Sequence, residues 1–135
     1  MREILFRGII KSDNSRYKRG QWAVGDLVRL QDGNDGKPHI YGCGEVYAET
    51  IGQYTGLTDK NGKKIFEGDI VVTSIKGNKT VCKVAWADNV AQFQLWQFDT
   101  IPNTPTNLNL GNYDCEVIGN IHDNPELLKS EVDSE

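Results

Sequence analysis

The stretch from Gln53 to Val71, QYTGLTDKNGKKIFEGDIV, decides how the chain is read. Asp59-Lys60-Asn61-Gly62 is a tight-turn signal, because Asn-Gly readily takes the left-handed conformations that a hairpin turn requires. Gly68-Asp69 is a second turn, since an Asp side chain accepts hydrogen bonds from nearby backbone N–H groups. It feeds the aliphatic run Ile70-Val71-Val72, which enters a strand. The same device occurs earlier, where Gly25-Asp26 leads from Trp22 into Leu27-Val28.

Working outward, Glu3 to Ile10 reads as a first strand. Residues 11–20, KSDNSRYKRG, form a polar loop, and Trp22 to Leu30 leads into a second strand. The following QDGNDGKP is turn chemistry throughout. Ile40-Tyr41 and Glu45 to Ala48 are short strands around a Gly-Cys-Gly step. Ile70–Ile75 and Val81–Trp86 flank Lys76-Gly77-Asn78-Lys79 as a hairpin. From Ala91 to Phe98, Phe93 and Leu95 alternate with Gln92, Gln94 and Trp96, as in a strand with one drier face. Residues 99–114, rich in Asn, Thr and Pro, are expected to be a long loop, and Cys115 to Ile121 a last strand. Asn124 as cap and Pro125 as first helical residue start a short C-terminal helix. The expected whole is a single mainly β domain over residues 1–128, with two lobes at about 1–50 and 51–128 as the other division, and a fraying acidic tail at 129–135.

Bulk properties agree with many short strands joined by turns: 38% of the residues are apolar and 14 are Gly. Charge is unevenly placed. Of 15 Lys and Arg, all but Lys129 lie before Val84, whereas from Val84 onward Lys129 faces nine acids. Such a split suits a basic and an acidic face on one molecule, or complementary faces in an assembly. Cys43, Cys82 and Cys115 form no CxxC pair, so a reduced, cytosolic protein is expected and a zinc ribbon is not. The first residues, MREILFRGII, are too charged for a signal peptide, and no apolar run spans a membrane.

The chemistry-bearing residues read as structural. His39 and His122 have no Ser or Cys partner marked by a local motif. Cys43 lacks a neighbouring cation or helix N-terminus that would make it a nucleophile. Asp26, Asp59, Glu67 and Asp69 fit turns better than a calcium loop, because the alternating carboxylates and closing Glu are absent. The expectation is no catalytic residue, no metal and no cofactor. Structural turns and a cap are assigned to Gly25, Asp26, Asp59, Asn61, Gly62, Gly68, Asp69, Asn124 and Pro125. Trp22, Tyr54 and Trp86 are assigned to the core. If Phe93 and Leu95 face that core, Trp96 and Phe98 are partly exposed and make a candidate oligomer contact. The second reading is nucleic-acid binding through the basic knot Arg16, Tyr17, Lys18 and Arg19 with the lysines of 60–83.

Three segments, MREILFRG at the start, TGLTDKNGKKIFEGDIV at 55–71 and VIGNIHDNPELL at 117–128, together resemble the YopX-like proteins of bacteriophages and prophages. The resemblance covers both ends and the centre and leaves 11–50 and 87–114 poorly matched. It implies a mainly β fold with an SH3-like barrel element, a phage-borne accessory protein of unassigned biochemical function, and homo-oligomers. With it goes an expected place in the cytoplasm of a bacterial host, where the partner is a second copy or another phage or host protein. No catalytic residue comes with it. The turn residues of 55–71 are then scaffolding at the corners of a small β structure.

Overall fold

The computed structural model describes residues 3–29, 36–97 and 104–128. Two compact units divide the chain, Met1–Gly56 and Leu57–Glu135.

In the first unit, β1 (Phe6–Ile9) lies between β2 (Trp22–Gly25) and the start of β6 (Gly52–Thr58), all antiparallel. A second small sheet orders β3 (Leu27–Arg29), β4 (Pro38–Ile40) and β5 (Gly44–Glu45). The region from Trp22, expected to lead through the Gly25-Asp26 turn into one strand, carries two, one on either side of Asp26. Gly25 ends β2 on β1 and Leu27 begins β3 on β4, with Asp26 as the break between them. The Asp26 carbonyl accepts from Tyr41 N at 2.8 Å. Ile10, Ala23, Ile40 and Val46 form the buried core, with Phe6, Tyr17, Leu27, Cys43 and Ile51 packed against it.

In the second unit, the end of β6 turns into β7 (Lys64–Phe66), and a five-stranded antiparallel sheet follows. Its order is β11 (Thr104–Asn109), β10 (Gln92–Gln97), β9 (Asn78–Ala87), β8 (Asp69–Ile75) and β12 (Glu116–Asn120). β8 and β9 meet through a two-residue turn, Lys76 at φ 52° and Gly77 at φ 82°, with Ile75 paired to Asn78. Positive φ at both positions is the primed geometry whose twist matches that of the flanking strands. One face carries Val71, Cys82, Val84 and Leu95 into a core completed by Ile65, Ile75, Leu110 and Cys115.

The opening stretch is a set of joints in this unit. Asp59 Oδ1 accepts from Asn61 N and Lys63 N, each at 2.9 Å, and Oδ2 accepts from Val117 N at 3.0 Å, tying the turn to β12. Those N–H groups, Val117 first, hold the Asp59 carboxyl below its ordinary value against the opposing effect of its burial. Gly62 has φ 85° and Gly68 φ 92°. Asp69, fully buried at the head of β8, accepts from Phe66 N at 2.8 Å through Oδ2.

Three expectations change. The 99–114 segment is not one loop: Thr104–Asn109 is β11, paired with β10 across a register shift after Leu95, and a 3-10 turn follows at Leu110–Asn112. Non-local pairing outweighs the turn-rich composition there. The C-terminal helix is a single 3-10 turn, Pro125–Leu128, and Asn124 Oδ1 accepts from Asn120 N at 3.2 Å, closing the turn that precedes it. The sheets of the described residues are open rather than closed as a barrel, because β11 and β12 remain edges of the larger one. Phe98 and the tail at 129–135 lie outside the described residues.

Candidate functional site

The ribbon of β9 and β10 places its side chains by strand alternation. Opposed residues share a face, so Trp86 and Phe93 stand beside Val84 and Leu95 on the core side. Trp86 nevertheless lies past the end of the packed core and is 41% exposed, which corrects its expected burial. Its ring meets Phe93 edge-on, with centroids 5.0 Å apart. Val90, in the turn that follows, is 49% exposed. Tyr54 is buried as expected, and Trp22 is half-buried with the Arg7 guanidinium 4.6 Å above its ring.

The other face of the ribbon is polar and largely dry. Gln94 is only 3% exposed, and it donates through Nε2 to Gln92 Oε1 at 3.1 Å and accepts from Trp96 Nε1 at 3.4 Å. Trp96, half-buried, lies opposite Lys83, whose ammonium sits 5.1 Å from its ring centroid. Burial pushes the Lys83 amine below its ordinary value. Trp96 is thus engaged by a cation of its own chain, and the more open aromatic of the ribbon is Trp86. Strand alternation around Trp86 pointed inward, and only the end of the core, invisible in sequence, exposes it.

The basic knot is folded onto the Gly42-Cys43-Gly44 turn. Asn14 Oδ1 accepts from Arg16 N and Tyr17 N, each at 2.9 Å, while Asn14 Nδ2 donates to Cys43 O at 2.8 Å. Gly44 takes φ 137°, and a Cβ there would lie 2.6 Å from Asn14 Nδ2, so no side chain fits this approach. Arg16 Nη1 donates to Gly42 O at 3.1 Å, and the Cys43 thiol meets Tyr17 Oη at 3.5 Å. The thiol raises the Tyr17 phenol above its ordinary value. Arg19 N donates to Asp13 Oδ1 at 2.7 Å. Lys18 and Arg19 are exposed, whereas Tyr17 packs against the first unit's core and does not present its ring for stacking.

Cys43 and His39 do not form a nucleophile–base pair among the described residues. The thiol is engaged with Tyr17, and His39 Nδ1 is 3.0 Å from Lys37 O. His122 N donates to Asn120 Oδ1 at 2.9 Å in the turn before the last 3-10 segment. Among the described residues, no three His, Cys, Asp or Glu side chains gather as metal ligands would, and the described cysteines are free thiols. Burial pushes the Cys115 thiol up. No helix of the described residues is long and apolar enough to cross a membrane.

A family model described as YopX protein matches residues 6–129. The chain belongs to the YopX family. The match takes in both units, including the 11–50 and 87–114 regions in which the sequence resemblance was faint. A structural neighbour is the crystal structure of protein EF1440 from Enterococcus faecalis, 28% identical, covering 96% of this chain and 100% of that chain at a TM-score of 0.47. No curated protein matches the sequence.

Proposed function

We propose that this YopX-family chain is a non-enzymatic interaction module, a phage or prophage accessory protein that self-associates in the cytoplasm of its bacterial host. The observation that carries the reading is the exposed apolar end of the β9–β10 ribbon, where Trp86, 41% exposed, pairs edge-on with Phe93 and Val90 in the following turn is 49% exposed. Large aromatics with one packed edge and one open face are favoured anchors of protein contacts. The contact is therefore assigned to Trp86 and Val90 rather than to Trp96, which lies on the opposite face under Lys83.

Charge placement also favours this reading over nucleic-acid binding. Lys76 sits in the turn before β9 and Lys79 near its start, with Trp86 near its other end, roughly 24 Å from Lys79 at about 3.4 Å per residue. The hairpin-end lysines and the open Trp86 therefore do not form one strip along the ribbon, as a single-strand platform there would require. The test is light scattering after size exclusion over a range of protein concentrations, with the nucleic-acid absorbance ratio recorded. A salt-resistant oligomer that Trp86→Ala with Val90→Ser turns into a folded monomer supports the proposal. A wild-type monomer overturns it. A species that carries nucleic acid at low salt and sheds it in Arg16→Ala/Lys18→Ala/Arg19→Ala favours the basic knot instead.

A further inference from the structure

The N-terminal unit contains a cleft of about 540 Å³ between the polar loop and the Gly42–Gly44 turn. That size lies within the range of small-molecule sites, roughly 300–1,000 Å³. Val28 supplies an apolar side chain, Ile40 at the wall turns its own into the buried core, and Arg16, His39 and Tyr41 supply the polar groups. The lining is made by pairing: Val28 on β3 is opposite His39 on β4, so the two share one face.

Arg16 is held in place rather than left to swing. Its backbone N–H is bonded to Asn14 Oδ1, and its Nη1 is bonded to Gly42 O at 3.1 Å. A guanidinium carries five N–H donors, so one bond to a carbonyl orients the plane and leaves donors for an anion. Preorganisation of this kind lowers the ordering cost of binding. Tyr41 is 73% exposed on the same wall, with its ring open to a stacking partner. His39 Nδ1 faces Lys37 O, which can only accept, so the neutral ring is left with Nε2 as an acceptor for a ligand N–H or O–H.

From this convergence we propose that the cleft binds a small ligand that joins a planar ring to an anionic group, such as a mononucleotide. The anion is taken by the Arg16 guanidinium, the ring lies against Tyr41 over Val28, and His39 Nε2 accepts from an N–H or O–H of the ligand. Neither half of the ligand suffices, since an anion alone leaves Tyr41 and Val28 uncovered and a neutral ring leaves Arg16 unmatched.

The experiment is a titration of the isotope-labelled full chain with adenosine 5′-monophosphate, followed by backbone amide shifts. Adenosine, inorganic phosphate and a ten-residue single-stranded oligonucleotide serve as the other probes. Saturable shifts confined to Arg16, His39 and the Gly42–Gly44 turn are expected, with phosphate and adenosine each at least tenfold weaker. Arg16→Ala should weaken the monophosphate at least tenfold, and Arg16→Lys, which keeps the charge but loses the planar fork, by less. Tyr41→Ala, at an exposed position that leaves the fold intact, should also weaken it. Absence of saturable shifts at millimolar monophosphate overturns the proposal, as does binding that Arg16→Ala and Tyr41→Ala both leave unchanged. Tighter, steeply salt-dependent binding of the oligonucleotide, with shifts spreading to Lys18 and Arg19, also overturns it in favour of a nucleic-acid strand.

Discussion

The two units reach order by different means. Among the described residues, Leu57–Glu135 has long paired strands and a core cluster of eight buried residues, among them Val71, Cys82, Val84 and Leu95. Met1–Gly56 has strands of two to four residues before β6 and a core of four. The smaller core is supplemented by side chains tied to distant backbone, a device the larger unit also uses at Asp59 and Val117. Asn14 reaches Cys43, Arg16 reaches Gly42, and Thr50 Oγ1 accepts from Ile9 N at 2.9 Å while donating to Tyr47 O. Both units leave an aromatic open, Trp86 on the larger and Tyr41 on the smaller, and the smaller one folds its polar loop into the wall of a cleft.

The largest effect expected from this contrast is in the larger core. Leu95→Ala should cost about 2–5 kcal/mol in urea unfolding, as buried Leu truncations do. A loss below about 1 kcal/mol would show that the β10 side chain is not part of a packed core. Asp59→Ala should follow at about 2–3 kcal/mol, since it leaves three backbone N–H groups without a charged acceptor. The pH dependence has a definite sign. The folded carboxyl titrates below its unfolded value of about 4, so its stabilisation is present above that value and fades as pH falls through the lower folded one. The stability gap between wild type and Asp59→Asn should accordingly narrow in the acid limb. A constant gap would contradict the hydrogen-bonded carboxylate.

The smaller unit offers sharper tests. A Cβ at Gly8 would lie 2.9 Å from Val46 Cβ and Cγ2, so Gly8→Ala should cost about 1–3 kcal/mol by overpacking. Gly8→Ala combined with Val46→Ala should cost less than the sum of the two single changes. Strict additivity would mean that β1 and Val46 are not in contact. The smallest effect is Asn14→Ala, about 1 kcal/mol for bonds at an exposed site. It should appear as faster hydrogen exchange at the Arg16 and Tyr17 amides, with residues 57–128 unaffected. Equal loosening of the larger unit would erase the contrast.

What could be read in the sequence was local. Asn61-Gly62, Gly68-Asp69 and Lys76-Gly77 are turns because their own side chains and φ preferences make them so. Gly25-Asp26 has the same letters, yet it is a break between strands with different partners, because pairing to β1 and β4 decides the backbone there. β11 was concealed for the same reason: a run of Thr, Pro and Asn becomes a strand only because β10 lies beside it. At the candidate sites, the residue types were legible and their relations were not. Arg16 and Gly42 are brought together from 26 positions apart, and the exposure of Trp86 depends on where the core ends.

Hydrogen exchange of the wild-type chain at low and high protein concentration tests most directly whether the β9–β10 ribbon is where two copies meet. The account predicts that amides from Val84 to Leu95 become slower as concentration rises, while those of the Met1–Gly56 unit do not change. Exchange that ignores concentration, or slowing confined to Met1–Gly56, would contradict it.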